Sequence, residues 1–360
     1  PQLIRTADDI QLWTERYDAS LVPGEVFPVQ GDIAERVAGV LNVTVLEREH
    51  RVLAASGTHN AEAYNEYLLG LFHANKRTPE GIQRGIQHLM QAVAADSAFA
   101  QGHAALADAY YRAVTYGPGI LPNVELYARA ERAAQRALAL DPRLAQAHVA
   151  LAFARWAGAW DWEEAGRRFR HALELDPDIA ELHRDYAHYV RALGRLKDAE
   201  HHARRAVALD PLLTDAHNSL GTLLVIEGRL EEARAEFEKA KELSPDWRTP
   251  RFNLVLVAID LGQLDEAQRA AEESGFPRPV AQLAVRSLAG KTTAEVAATV
   301  LSQIERAEPL LRLRPAAMAI VYSRAGLIDS AFTKLEEGVR THDPGLLFWL
   351  STLPWFENLR

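Results

Sequence analysis

The chain lacks several features that would point to particular kinds of chemistry. It has 360 residues and no cysteine, which excludes disulfide bonds and thiolate metal ligands. No apolar run reaches the ~18 residues that a membrane span needs, and no signal peptide is apparent. The formal net charge of −9 argues against general binding to the phosphate backbone of nucleic acids, because that depends on clustered lysine and arginine. These features favour a soluble protein in the cytoplasm, with an extracytoplasmic location left open.

What the chain does have is a pattern of small and large apolar residues that recurs every 34 or 35 positions. Its members are Ala130, Ala134, Ala137 and Pro142; Ala165, Phe169, Ala172 and Pro177; Ala199, Ala203, Ala206 and Pro211; and Ala233, Phe237, Ala240 and Pro245. Steps of four and three place the first three members of each set on one helical face, where alanine lets a neighbouring helix come close. The proline stops that helix, and we expect it to begin the next one. The period predicts a stack of helix pairs.

This pattern resembles the tetratricopeptide repeat. Units from about Ala180 and from about Thr214 match it without insertion, each with a Gly-Arg turn between its two helices. The resemblance implies an all-α, tetratricopeptide-type α-solenoid and a role in binding rather than catalysis. The period is interrupted by an insertion over 116–122 and by a tryptophan-rich turn over 160–162, and it breaks at 275–277. Beyond the break the pattern predicts helices near 280–289, 293–308, 316–325 and 328–340.

The first sixty residues lie outside the repeat. Two short strands are predicted around residues 7–9, followed by a helix from Phe27 to Leu41. The run from Gln11 to Asp18, with Val29-Gln30 after it, resembles the end of the TolB-like amino-terminal domain that precedes tetratricopeptide arrays in bacteria. The resemblance implies the sensory or interaction part of a larger bacterial regulator, and a start at Pro1 inside an apparent sheet suggests a fragment or a processed product.

The resulting division has three parts: a small α/β segment over 1–59, about six tetratricopeptide units over 60–278, and degenerate helical repeats with a carboxyl-terminal cap over 279–360. The edge of the amino-terminal hairpin can pair with another chain, because an uncovered strand edge is a template for β-addition. The alternatives are that this segment packs against the first repeat or is partly disordered.

If the repeats bind a partner, the concave groove lined by the first helix of each unit is the expected place. Counting from the small residue of the motif predicts the groove side chains to be Asp108, Tyr111, Arg112, Phe153, Trp156, Arg184, His188, Arg191, Asn218 and Thr222. Aromatic anchors, arginines and amides suit an extended peptide or a partner helix. Ordinary packing between repeats is the alternative for any one of them.

Evidence for chemistry is sparse, and neither a catalytic residue, a metal site nor a cofactor is predicted. Gly290-Lys291-Thr292 is similar to the end of a phosphate loop, but Val285 stands where the leading glycine belongs. Histidine recurs at equivalent first-helix places, namely His103, His148, His183 and His217. Because a whole helix pair separates successive members, we interpret them as half-buried packing residues rather than zinc ligands.

The function that these features favour is a non-catalytic scaffold that binds a protein or peptide. The alternative is a structural protein that assembles into oligomers or filaments through the amino-terminal strands and the aromatic tail, Phe348-Trp349-Leu350 and Pro354-Trp355-Phe356. For the tail itself we expect a cap over the last helix pair, as a solenoid needs for solubility, rather than docking to a partner.

Overall fold

The structure, a computed structural model, describes residues 2–5, 10–14, 57–117, 119–245, 247–273, 278–307, 315–343 and 345–346. Within the repeat region these residues form sixteen α-helices and no strand. The helices are α1 (Ala61–Ala74), α2 (Pro79–Ala95), α3 (Ala100–Tyr116), α4 (Asn123–Leu140), α5 (Ala145–Phe153), α6 (Trp162–Leu175), α7 (Ala180–Ala192), α8 (Leu196–Leu209), α9 (Thr214–Ile226), α10 (Leu230–Leu243), α11 (Arg248–Asp260), α12 (Leu264–Glu273), α13 (Arg278–Leu288), α14 (Ala294–Ala307), α15 (Pro315–Arg324) and α16 (Ile328–Thr341).

Consecutive helices pack as antiparallel pairs, and the pairs stack into an all-α, tetratricopeptide-like solenoid. The recurring apolar residues lie at the packing surfaces, as predicted. Every alanine of the pattern, together with Phe169 and Phe237, is fully buried. Phe237 packs over Gly221 of the preceding helix, where an added Cβ atom would lie 2.7 Å from the ring. The small residue is therefore required by the large one opposite it.

The prolines of the pattern do not begin helices, so that expectation was wrong. Helices α5, α7, α9 and α11 each start three residues after the proline. In the turns at Asp141 and Asp210 the carboxylate accepts a hydrogen bond, 2.9 Å long, from the backbone N–H two residues further on. Such an Asx turn holds the chain extended across the proline and postpones the next helix.

Within a pair, most of the turns contain a glycine in the left-handed region. Gly194, Gly228, Gly262 and Gly326 have φ values of +74° to +76°. The N–H of the following residue bonds the carbonyl five residues back, for example Arg229 to Leu224 at 2.9 Å. This arrangement closes the end of the first helix, and glycine adopts it without the steric penalty that a Cβ atom brings.

The interruptions fall where the sequence predicts them. Helix α3 ends at Tyr116 and α4 begins at Asn123. Helix α5 continues into one π-helical turn, Ala154–Gly158, and Asp161 then caps α6 by accepting the N–H of Glu164 at 3.0 Å. The four helices predicted beyond residue 278 are all present, each within two residues of the expected bounds.

At the amino terminus, β1 (Gln2–Arg5) pairs antiparallel with β2 (Ile10–Thr14). The helix predicted from Phe27 to Leu41 lies outside the described residues, as do the aromatic tail and the break at 275–277. The strand pair alone does not support an α/β or TolB-like domain. The boundaries after residues 59 and 278 stay predictions.

The solenoid curls so that its last described pair meets its second and third pairs. The side-chain amide of Asn123 donates to the backbone oxygens of Thr341 and His342, at 2.9 and 3.3 Å. The indole N–H of Trp160 lies 3.2 Å from Nδ1 of His342. Asn123 directly follows the insertion at 116–122 and Trp160 lies in the tryptophan-rich turn, so the contacts that close the curl lie at the two interruptions. In the part of the chain that the structure describes, none of the helices is both long enough and apolar enough to span a bilayer.

Candidate functional site

The first helices of successive pairs form the inner row of the stack. Helices α3, α5, α7, α9 and α11 each contact the next one in that series directly. Side chains on their exposed faces therefore converge on the inside of the curl. This inner surface is the place where the sequence predicts the groove.

Four charged side chains meet on the inner surface, and we call them the inner cluster: Arg77, Arg184, Asp185 and Asp215. Arg184 lies 2.6 Å from Oδ1 of Asp185 and 3.1 Å from Oδ2 of Asp215. Arg77 reaches the same Oδ2 of Asp215 at 3.0 Å. The side chains are only 8–13% exposed. Two guanidinium groups thus share one buried carboxylate.

Arg77 reaches the inner cluster from far along the chain. It belongs to the turn between α1 and α2, residues 75–78, whereas Asp215 lies on α9. Its guanidinium also lies over the ring of Trp247, 5.6 Å from the centroid. The curl of the solenoid therefore places a turn of the first pair against the fifth pair and the start of the sixth.

Burial dominates the electrostatics around the cluster. It raises the pKa of Asp185 to about 7, although the neighbouring Arg184 guanidinium opposes that rise. Burial likewise lowers the pKa of Arg191 to about 10. The pKa of His188 is lowered well below its ordinary value by burial and by the charges of Arg191 and Arg184. His188 is therefore neutral at pH 7.

The ten predicted groove residues divide by exposure. Half-buried positions are taken by Asp108, Tyr111, Arg112, His188 and Asn218. Buried positions are taken by Phe153, Trp156, Arg184, Arg191 and Thr222. Half of the predicted groove side chains are therefore buried, and the other half are partly exposed on the inner surface.

The aromatic members of the predicted groove pack behind the surface. Phe153 is 2% exposed and Trp156 is fully buried. Tyr111 stacks on Phe153 with ring centroids 3.9 Å apart, and Trp156 meets Tyr189 edge to face at 5.6 Å. Trp156 lies in the π-helical turn that follows α5. Phe153 and Trp156 therefore support the inner surface and do not line it, whereas Tyr111 is partly exposed.

The polar members continue the surface in both directions from the cluster. Arg112 pairs with Asp108 at 2.5 Å on α3. On the other side, the Asn253 amide donates to Oδ1 of Asn218 at 3.0 Å, and Thr222 donates its hydroxyl to the Asn218 carbonyl at 2.8 Å. The guanidinium, carboxylate and amide groups of this row therefore come from four inner helices, α3, α7, α9 and α11.

Counting from the motif misses five residues of this surface: Arg77, Asp185, Asp215, Trp247 and Asn253. Trp247 carries a readable signal, because it stands where the equivalent N-cap positions have Leu144, Ile179 and Leu213. Asp185 and Asp215 are acidic residues within inner helices. Arg77 has no local signal, since its partners lie in other repeats.

The recurring histidines have a different role from the inner cluster. Nε2 of His148, His183 and His217 lies 2.8–2.9 Å from the backbone oxygen of the proline six residues earlier. The equivalent distance from His103 to the Ser97 oxygen is 3.2 Å. Because a carbonyl oxygen only accepts, each Nε2 must donate. We call these contacts the histidine ties, and they fix the turns between successive pairs.

The partner of the second ring nitrogen changes along the array. Nδ1 faces Arg168 at 3.4 Å, His202 at 2.8 Å and Glu236 at 2.6 Å in successive pairs. Burial lowers the pKa of His183 and brings that of His202 to about 4. The hydrogen bond to Glu236 instead raises the pKa of His217. Among the described residues no group of three or more histidine and carboxylate side chains has the arrangement of a metal site.

Comparison with known proteins agrees with this architecture. The family model described as a tetratricopeptide repeat matches residues 214–246, which contain α9 and α10. No curated protein matches the chain significantly. The chain is similar in fold to the human IFIT1 dimer with m7Gppp-AAAA, with 15% identity, coverage of 86% of this chain and 76% of that chain, and a TM-score of 0.54.

Two bacterial structures also match over part of the chain. One is pilF of Pseudomonas aeruginosa, with 20% identity, coverage of 59% of this chain and 93% of that chain, and a TM-score of 0.45. The other is the tetratricopeptide protein TTC0263 of Thermus thermophilus, with 20% identity, coverage of 59% and 100%, and a TM-score of 0.42. The chain thus contains a tetratricopeptide repeat and has an all-α tetratricopeptide-like solenoid fold.

Proposed function

We propose that this chain is a non-catalytic scaffold whose inner surface binds a protein partner through an extended segment. The observation that supports this is the row of polar side chains on the inner helices. The stack itself is held by alanine and phenylalanine packing. Burying ion pairs costs desolvation that apolar residues of similar volume would avoid, so the row is not explained by stability.

The chemistry of the row suits a peptide. Asn218 and Asn253 carry both donors and acceptors, which match the backbone N–H and C=O groups of an extended chain. Arginine is among the residues that contribute most strongly to protein interfaces. Direct nucleic-acid binding remains disfavoured by the net charge of −9 alone.

The finer proposal, that the scaffold is the sensory part of a larger bacterial regulator, is supported by the amino-terminal resemblance only. The family model covers residues 214–246 and includes none of that region. We keep the regulator context as a proposal that follows from the resemblance, separate from the binding role.

Selection of peptides from a random displayed library tests the binding role. The affinity of a selected peptide is then measured for the wild type and for the double variant Asn218→Ala/Asn253→Ala. We expect the double variant to lose at least about tenfold in affinity, because it removes two central polar contacts. The matched control is Glu163→Ala/Arg167→Ala, an exposed pair on α6, which should bind like the wild type. Failure to select any peptide, or equal loss in both variants, would contradict the proposal.

A further inference from the structure

We propose that the turn between α1 and α2 is an internal competitor, and that the site it fills on the inner surface binds an arginine side chain of the partner. This inference rests on the proposed function, and it names the class of partner: a cationic segment that contains arginine. Arg77 represents that side chain in the present structure.

The first support is the chemistry of the site. Asp215 offers a carboxylate oxygen 3.0 Å from the Arg77 guanidinium, and Trp247 offers the face of its ring at 5.6 Å. A carboxylate beside an indole is a receptor for a planar cation, because guanidinium combines ion pairing with stacking on an aromatic face. Lysine lacks the plane and the fork, so it should bind more weakly.

The second support is the backbone of Arg77. Its φ is +53°, in the left-handed region, where most of the other turns within pairs have glycine. A side chain with a Cβ atom is strained in this region, so surrounding contacts must offset the strain. The other non-glycine residues with positive φ among the described residues are Trp160 and His342, and these two contact each other across the curl. At all three positions the strain accompanies a long-range side-chain contact.

The third support is that Asp215 and Trp247 belong to other pairs and have contacts outside the turn between α1 and α2. Asp215 has a second partner besides Arg77, namely Arg184 of α7, 3.1 Å away. Trp247 is the N-cap residue of α11 and is only 9% exposed. Withdrawal of Arg77 would therefore leave a formed site, which an arginine from outside can enter.

The competitor arrangement predicts how affinity responds to mutation. A binding site that is free for only a fraction of the time shows an affinity reduced by that fraction. Because the turn is tethered, its effective concentration at the site is high. Removing the Arg77 side chain should consequently strengthen the binding of a free arginine peptide.

The test uses the sequence of the turn as the probe. A fluorescent peptide of residues 73–80, His-Ala-Asn-Lys-Arg-Thr-Pro-Glu, is titrated into the full chain and into Arg77→Gly. Glycine tolerates positive φ, so this variant should fold, and circular dichroism with thermal unfolding verifies that. We expect the variant to bind the peptide at least about tenfold more tightly than the wild type. A peptide with lysine in place of its arginine should bind more weakly.

Two further variants keep the test specific. Lys76→Gly removes a neighbouring positive charge from an exposed position and should leave affinity at the wild-type value. Arg77→Gly combined with Trp247→Leu should lose the gain. Equal binding by the wild type and Arg77→Gly, or a gain of the same size in Lys76→Gly, overturns the inference. If the Arg77→Gly result fails in either of these ways while library peptides still lose affinity for Asn218→Ala/Asn253→Ala, the competitor is refuted and the binding role stands.

Discussion

Two sets of buried polar groups in this protein follow different rules. The histidine ties recur at every pair from α3 to α9, and each joins a ring to a carbonyl six residues away. The inner cluster occurs once and joins α7 and α9 to a turn of the first pair. The periodic set holds neighbouring repeats in register, as any solenoid requires. The aperiodic set depends on the curl of the whole array, and it is there that we place binding.

The largest expected effect concerns the periodic scaffold. Phe237→Ala removes a fully buried ring from between α9 and α10, and we expect a loss of about 3–5 kcal/mol in the free energy of unfolding. Urea denaturation followed by circular dichroism measures it. Phe332→Ala makes the same change on α16, where the side chain is 47% exposed, and should have a much smaller effect. Similar losses in both variants would mean that the recurring positions do not carry the stability.

The next largest effect is a pH dependence of stability that arises from Asp185 of the inner cluster and not from the apolar scaffold. Because burial raises the pKa of Asp185 from 3.8 to about 7, the folded state holds a proton that the unfolded state releases between those values. The free energy of unfolding therefore falls as pH rises through this window. Asp185→Asn cannot release that proton, so its stability relative to the wild type should be greater at pH 8 than at pH 5. A relative stability that does not change with pH would contradict the burial of an acidic Asp185.

A smaller effect is the pH dependence of stability at two histidine ties, those of His183, whose Nδ1 faces His202, and His217, whose Nδ1 faces Glu236. With the pKa of His202 lowered to about 4 by burial and by His183, stability is lost as pH falls from 6.5 towards 4. With the pKa of His217 raised by Glu236, stability is present below 6.5 and is lost as pH rises through the folded pKa. The stability of His202→Gln relative to the wild type should therefore be higher at pH 5 than at pH 7.5. The stability of Glu236→Gln relative to the wild type should be lower at pH 5 than at pH 7.5.

Thermal unfolding at the two pH values measures both variants. The opposite signs form the internal control, because a general effect of pH on the fold would move both in the same direction. If the relative stability of both variants changed in the same direction with pH, the partner of the second ring nitrogen would not determine the pH dependence of each tie.

The smallest expected effect comes from a turn glycine. An added Cβ at Gly228 meets no atom within 4 Å, so the cost of Gly228→Ala is conformational alone, roughly 1 kcal/mol for a left-handed residue. Gly228→Asn should cost less, because asparagine tolerates that region better. Neither change should alter the affinity for the arginine peptide. A change in affinity would mean that the scaffold and the inner cluster are not separable.

The features of the fold that the sequence predicted correctly are those that depend on local patterns. Alanine and phenylalanine spacing predicted the buried faces, and glycine marked the turns within pairs, because both depend on residues within one or two repeats. The expectation that proline begins each helix was wrong because the preceding aspartate forms an Asx turn that extends the linker. Even the histidine ties follow from a period, although their carbonyl partners are not visible in the sequence.

The groove was only partly predictable, because local patterns do not report contacts between distant repeats. Counting from the motif finds the positions on the inner helices, but it does not show the depth at which they lie. Phe153, at the end of α5, and Trp156, in the π-helical turn after it, are both buried rather than exposed on the surface. Asp185 and Asp215 belong to the site because of their ion pairs: Arg184 pairs with both carboxylates, and Arg77 pairs with Asp215.

By itself, the sequence determined that this chain is a stack of helix pairs, since a repeated apolar pattern specifies contacts between neighbours. Only the tertiary structure decided which side chains meet on the inside. Small rotations between successive pairs accumulate into a curl, and that sum brings Arg77 to Asp215 and Asn123 to Thr341. No single repeat encodes the sum, so the polar interior and its internal competitor appear only when the whole array is folded.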